Sequence, residues 1–388
     1  MNNIIINLIS YALLNKSEYE IGDIDFEKLY KFSKKQQISV LVYYGLVNAK
    51  INIPPEIMSK FQMDTFMSAA VSCNQLYEIE KLCEAFEKNG IDHMPVKGSV
   101  LKGIYPKPEM RQMSDSDILI KVDQVESISK VMNDLGYTYK YDSDHEIVWS
   151  KPANIHIELH KRLIPSYNND FYSYYGDGWK LANLIEGKKH GYTMSKEDNY
   201  IYNFTHFAKH YRDAGVGVKH MIDLFLLKKD IDFNYVKNEL KKLQLYDFYK
   251  AVSKTIAAWF EGADTDIQTQ TVTKRIFAGG AYGTAEAKTL SSAVKATKDG
   301  TNAKNVARKK VFKMLFPSVE ALKPTYPILV KTPFLLPAVW VWRWITALLF
   351  RRKNISVQSK TAKTLSAQKI TSYQDELNIV GLDFNFEE

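Results

Sequence analysis

Apolar residues recur at helical spacing through the first 88 residues, and the pattern predicts helices over 2–14, 26–34, 38–48, 55–70 and 72–88. In the last of these, Leu76, Ile79, Leu82, Cys83 and Phe86 share one face, and Asn89-Gly90 supplies a C-terminal stop. The period then changes. Residues 91–96 form a short run that reads as a strand. Residues 115–122 alternate, with Ile118 and Ile120 on one face and Asp115, Asp117 and Leu119 on the other. Val125, Ile128, Val131, Met132 and Leu135 return to helical spacing over 124–135, ahead of Gly136. Residues 145–150 and 155–160 read as a hairpin around Lys151-Pro152-Ala153-Asn154. In its second strand Ile155, Ile157 and Leu159 face one way, and His156, Glu158 and His160 the other. From about residue 197 the pattern is helical again. The expectation is an α+β chain, a small mixed β-sheet core flanked by N- and C-terminal helical regions.

The same pattern divides the chain into a helical region (1–88), a sheet-bearing core (89–190), a helical region lining the cleft (191–261), and a linker with an amphipathic, basic tail (262–388). Residues 262–305 are polar and rich in Thr, Ala and Gly, and read as a loose linker or mobile loop. Farther on, Pro333 and Pro337 bracket the start of an apolar run that carries Trp340, Trp342 and Trp344 and ends at Arg351-Arg352-Lys353. On a helix, Val341, Trp344, Ile345, Leu348 and Leu349 share a side opposite Arg343, Thr346 and Arg351. The run is short for a spanning helix and contains Arg343. Two readings stand: docking on the protein's own core, or peripheral membrane contact through residues 334–353.

Charge and cysteines narrow the class. Lys plus Arg number 52 against 44 Asp plus Glu, a net +8. That excess suits a phosphate-rich ligand but is too diffuse to demand nucleic acid, and no specific nucleic-acid partner is expected. Cys73 and Cys83 lie in one helical pattern, so a reducing cytoplasm is expected rather than a disulfide framework. The apolar start, Met1 to Ile6, lacks a basic n-region and reads as a helix, not a signal peptide.

The chemistry concentrates in Lys97-Gly98-Ser99 and Asp115-Ser116-Asp117. A Gly-Ser turn opening a helix presents free backbone N–H groups to an anion, Gly98 permits close backbone approach, and Ser99 adds a hydroxyl. Two carboxylates on one strand face repel unless a cation lies between them, and Mg²⁺ takes one or two carboxylates together with substrate phosphates. Glu158 is the candidate third acid, provided its strand lies beside the Asp strand. Lys97, Lys102 and Arg111 are candidate phosphate cations, Arg111 through its two-pronged fork. His206 and His210 are four apart on a helix. Phe207 stands where zinc proteases place the glutamate of their motif, so a substrate-lining role for His206, His210 and Arg212 is the better functional reading. A plain packing helix is the structural alternative.

These residues resemble the nucleotidyltransferase superfamily with the DNA polymerase β fold, whose shared pattern is a Gly-Ser turn, a helix, an Asp-x-Asp strand and a later acidic strand. A closer resemblance is to a bacterial family of uncharacterised nucleotidyltransferases often encoded near surface-polysaccharide genes. It rests on Val96-Lys97-Gly98, Tyr105-Pro106, Arg111, Asp115 to Ile120, Ile157-Glu158-Leu159-His160, and His206 through Asp223, and covers roughly residues 20 to 260. The gap from Ser99 to Asp115 is slightly longer than the superfamily's usual one, so residues 105–113 must loop to absorb it. The resemblance implies that Asp115, Asp117 and Glu158 are the catalytic and metal-binding acids. They would hold two Mg²⁺ ions while a nucleoside triphosphate gives up its nucleotidyl group to an unknown acceptor and pyrophosphate leaves. Lys97, Gly98, Ser99, Lys102 and Arg111 would bind the nucleotide. A catalytically silent nucleotide-binding or regulatory module on the same fold, and an antitoxin-like enzyme that adenylylates a protein, remain the alternatives.

Overall fold

A computed structural model describes all residues except 17–21, 282, 298–304, 307–308, 310–311, 314, 323–325, 327, 351–365 and 383–388. The chain forms two compact units. The first comprises Met1–Ala208 and Val216–Ala281, the second Lys209–Gly215 and Tyr282–Glu388.

The first unit begins with α1 (Asn2–Leu14), α2 (Phe26–Gln36), α3 (Ser39–Asn48) and α4 (Pro55–Lys88). Asp25 caps α2 by accepting from the Lys28 backbone N–H at 3.1 Å. Helix α4 is continuous over 34 residues, where the apolar pattern suggested two helices meeting near residue 71. Its buried face is partly polar, with Ser68, Ser72, Gln75 and Glu78 among Ile57, Phe61, Ile79, Leu82 and Phe86, and this hides the helical period. Cys73 and Cys83 both lie on α4 as free thiols.

The mixed sheet contains β1 (His93–Val96), β2 (Ser116–Ile120), β3 (Thr138–Asp142), β4 (Glu146–Lys151) and β5 (Ile155–His160) in the order β1-β2-β5-β4-β3. Neighbours are antiparallel except β2 and β5, which run parallel. The β4–β5 turn passes through Ala153 and Asn154, both at positive φ. Strand β3 went unread in the sequence; all five of its residues are exposed, so no alternation marks it. One sheet face carries Ile118, Ile120, Ile147, Trp149, Ile155, Ile157 and Leu159, and packs on Leu82 and Phe86 of α4 and on Ile128, Val131 and Met132 of α6 (Val125–Asp134). Alternation therefore turns Asp117, Glu158 and His160 to the opposite face.

Helix α7 (Asn169–Tyr175) and a two-stranded ladder, Asn183–Leu184 with Tyr192–Thr193, follow the sheet. Then come α8 (Lys196–Asp213), whose last residues belong to the second unit, α9 (Val218–Leu227), α10 (Phe233–Lys242), α11 (Tyr246–Phe260) and α12 (Ile267–Ala278). Helix α12 stands inside the segment read as a linker. A capping box between Asp266 and Thr269 starts it, and Val272, Ile276 and Phe277 bury its apolar side.

The second unit contains α13 (Ala285–Thr297), also inside the expected linker, short helices at Val319–Leu322 and Ile328–Lys331, and longer ones at Leu336–Phe350 and Ala367–Ile379. Ile370, Tyr373 and Leu377 of the last helix are buried. In the aromatic segment Val339 is buried with Leu322 and Leu329, and Trp340 and Trp344 stack edge-on against Phe316. Val341, Trp342 and Ile345 are exposed, so Trp344 does not share its surroundings with Val341 and Ile345 as the single apolar side required. Arg351 and Lys353 lie outside the described residues. No described helix is long and apolar enough to cross a membrane.

Candidate active site

The parallel register sets Asp117 directly opposite Glu158 and Leu119 opposite His160. Three donors thereby converge: oxygen atoms of Asp117 and Glu158 and a ring nitrogen of His160 lie within 4.8 Å of one another. His160 Nε2 is 2.7 Å from Asp117 Oδ1 and 3.6 Å from Glu158 Oε2. Asp115 stands one residue before β2, half-buried, and accepts from Ser114 Oγ at 2.9 Å. Among the described residues it joins no such close group, although its charge acts on Glu158. His156, on the Glu158 side of β5, is exposed.

Lys97 fills the cationic role here. Its Nζ lies 2.8 Å from Asp117 Oδ1 and 3.3 Å from His160 Nε2. The Lys97 backbone sits at φ 50°, ψ −126°, a strained conformation for a residue with a side chain, at the turn from β1 into α5 (Gly98–Leu101). Burial opposes the charges of both Lys97 and Asp117. The pair overrides it, holding the lysine above its ordinary range and the aspartate below its own, with His160 assisting. Glu158 behaves oppositely. Burial and the charges of Asp115, Asp117 and Glu146 push its carboxyl up to about 9. A divalent cation among these carboxyl groups would relieve their mutual repulsion, and the oxygen atoms of Asp117 and Glu158 fit Mg²⁺.

Gly98 is buried beneath Met113; a Cβ there would lie 2.9 Å from the Met113 sulfur. Ser99 Oγ accepts the Asp117 backbone N–H at 3.0 Å, tying the Gly-Ser turn to the acid strand. Helix α5 is only four residues long, so its dipole contributes little to an anion seat.

The long gap before Asp115 is an anchored loop. Buried Asp223 of α9 accepts from Arg111 Nε and from the Tyr105 hydroxyl, each at 2.7 Å. Arg111 is thus already paired, and Asp223 keeps its guanidinium charged against burial. Buried Lys102 donates to Ser72 Oγ of α4 at 2.6 Å, and burial together with Arg111 lowers its ammonium to about 8. Lys219 of α9 donates to the Gln112 carbonyl at 3.1 Å and to Gln37 Oε1 at 3.3 Å; burial and Arg111 lower it to about 7. Arg111 thus acts on two buried lysines of depressed proton affinity, and Asp115 acts on Lys219 with the opposite sign.

Tyr202 on α8 is buried, donates to the Leu163 carbonyl at 3.4 Å, and interacts with Lys97, Asp117 and Glu158. His206, one turn later, is half-buried with its ring 6.4 Å from that of Tyr202. His210 and Arg212 fall in the second unit, where Arg212 Nε and Lys295 Nζ both pair with Asp213 at 3.1 Å and the Tyr373 hydroxyl donates to the Arg212 carbonyl at 2.7 Å. Tyr202 went unmarked in the sequence because a tyrosine on an apolar helix face looks like core. Glu146 went unmarked because its partners are set by strand pairing.

A family profile described as "Uncharacterised nucleotidyltransferase" matches residues 22–261, more than half of the chain. The solution structure of the antibiotic-resistance factor ANT(2'')-Ia is similar at 13% identity and a TM-score of 0.34, covering 47% of this chain and 96% of that one. No curated protein matches.

Proposed function

The chain belongs to the family of uncharacterised nucleotidyltransferases, and we propose that its reaction is Mg²⁺-dependent transfer of a nucleoside monophosphate from a nucleoside triphosphate to a hydroxyl acceptor, with release of pyrophosphate. The observation that carries this reading is the pairing of Asp117 with Glu158 across parallel strands, beside a Gly-Ser turn bonded to the same strand.

Asp117, Glu158 and Asp115 would hold the metal, which when bound supplies positive charge to the reacting phosphate oxygens. With the metal bound, Glu158 would be ionised and placed to complete the acceptor-side metal and help take the acceptor hydroxyl proton. The acceptor oxygen forms a bond to the α-phosphorus, the bond from that phosphorus to the bridging oxygen breaks, and the electron pair leaves with pyrophosphate. Gly98 and Ser99 would meet the triphosphate from the turn. Lys219, Lys102 and Arg111 would supply positive potential around it, and Lys219 and Lys102 gain protons most readily when an anion arrives. His206, half-buried one turn after Tyr202, is assigned to the acceptor, which is a sugar, another small molecule or a protein; His210 and Arg212, expected beside it, fall in the second unit.

Incubation with each α-labelled nucleoside triphosphate, Mg²⁺ and cell extract should label one acceptor class and release pyrophosphate. Asp117→Ala should reduce labelling by at least about 10²–10³-fold while the fold is kept. Nucleotide binding with no label transfer in the wild type would favour the silent module, and wild-type rates in Asp117→Ala would remove the assignment.

A further inference from the structure

We propose that His145, Glu146 and His160 form a second divalent-metal site, of nitrogen-rich, zinc-type preference, joined to the acid cluster through the His160 ring. The inference concerns residues outside the proposed Mg²⁺ acids and does not depend on the transfer reaction.

Strand pairing creates the site. Glu146 opens β4 directly across from His160 at the end of β5, and His145 precedes it, its carbonyl accepting the Lys161 N–H at 2.9 Å. The His145 and His160 rings lie 4.8 Å apart, centroid to centroid. One donor atom from each of His145, Glu146 and His160 falls within 4.8 Å of the other two.

The state of the His160 ring supplies the second, independent reason. Its Nε2 is 2.7 Å from Asp117 Oδ1, and that carboxylate is ionised because Lys97 pairs with it. Two unprotonated acceptors do not sit at that distance, so Nε2 carries the proton and donates it. Nδ1 is then a lone pair. It is buried with no hydrogen-bond partner, on a residue only 1% exposed. Its nearest charged neighbour is Glu146 Oε2 at 3.9 Å, a second electron-rich atom. The other Glu146 oxygen already accepts from the Tyr141 hydroxyl at 3.0 Å. A lone pair and a carboxylate oxygen facing each other without a proton between them repel; a cation bound to both removes the repulsion.

A histidine that binds metal through one nitrogen commonly donates its other N–H to a carboxylate, and His160 is already arranged that way through Asp117. Two imidazoles and one carboxylate match Zn²⁺ or Co²⁺, with a fourth position left for water, and do not match the all-oxygen preference of Mg²⁺. Loading this site would fix the His160 tautomer and strengthen its bond to Asp117, so a nitrogen-bound ion would tune the acid that pairs with Lys97.

The test uses the full-length protein, stripped with chelator and titrated with Co²⁺ in excess Mg²⁺, followed by visible absorption and bound-metal analysis. One equivalent of Co²⁺ with the spectrum of an imidazole-ligated ion is expected, displaced by Zn²⁺. His145→Ala and Glu146→Gln should each weaken it at least about tenfold, whereas Asp115→Asn should leave it unchanged. Absence of Co²⁺ binding, or binding unaffected by both His145→Ala and Glu146→Gln, overturns the proposal. So does a loss in Asp115→Asn as severe as in His145→Ala, because the ion would then sit on the acid cluster.

Discussion

Asp223→Asn isolates the charge that anchors the loop between the Gly-Ser turn and the acid strand. Asp223 is buried on α9, and one of its oxygens takes 2.7 Å bonds from both Arg111 and Tyr105. Asparagine keeps the volume and can still accept from Tyr105, but it removes the negative charge opposite a buried guanidinium. Arg111 cannot shed its proton to escape. Lys102 and Lys219 add positive potential nearby. Breaking a buried pair on one side costs about 3–5 kcal/mol, and the surviving Tyr105 bond places this case near the lower end. Hydrogen exchange read by mass spectrometry reports the loss segment by segment and is the suitable assay for this loop. Amides of residues 102–113 and 218–227 should lose about 10²-fold in protection, the equivalent of about 3 kcal/mol. Removing all the polar partners together, in Tyr105→Phe/Arg111→Met/Asp223→Leu, should restore most of it. Protection within threefold of wild type in Asp223→Asn, or a triple variant no better than the single, would refute the reasoning.

Further outcomes follow from the same site. In the folded chain Lys219 loses its proton near pH 7, in the unfolded chain near about 10.4; between these values the unfolded chain holds the extra proton, so stability rises with pH by up to about 1.4 kcal/mol per unit. Urea midpoints at pH 7, 8 and 9 should show wild type gaining on Lys219→Met as pH rises, and a constant difference counts against the buried ammonium. Lys97→Met leaves Asp117 and Glu158 without their cation, so its melting temperature should drop in chelator and recover with Mg²⁺ by a larger shift than wild type shows; equal Mg²⁺ shifts would contradict this. At Gly45 an added Cβ would lie 2.0 Å from the Leu8 carbonyl oxygen, so Gly45→Ala must push α1 off α3, at about 1–3 kcal/mol or more by thermal denaturation. An unchanged melting temperature there would mean the two helices are not in contact.

Much of the sheet was legible because its chemistry is local. Alternation over 155–160, and less cleanly over 115–122, gave the faces that bear Glu158 and Asp117, and the parallel register brings those two residues side by side. What escaped were features whose partners are remote or whose pattern is polar. Nothing near Arg111 in sequence announces that its counterion is Asp223, 112 positions away. Strand β3 has no buried residue to betray it, and α12 is so rich in Thr and Gln that its capping box and three buried apolar residues were masked by composition. The supposed break in α4 arose because Met63, Phe66, Met67 and Val71 are exposed while Ser68 and Ser72 are buried, the reverse of what an apolar stripe requires.

That inverted stripe has a consequence for how much change the protein tolerates. Along one side of α4, Ser68 donates to the Glu109 carbonyl, Ser72 accepts from Lys102, Gln75 donates to the Met113 carbonyl, and Glu78 accepts from Lys151 and Tyr137. A single continuous helix thus grips three points of the loop between the Gly-Ser turn and the acid strand, and the sheet beyond it. Inserting or deleting one residue near position 70 would swing Ser68 about 100° out of line with Ser72, Gln75 and Glu78, the angle between successive helical residues. Length in this helix is therefore as constrained as identity at the acids, although none of its residues touches them.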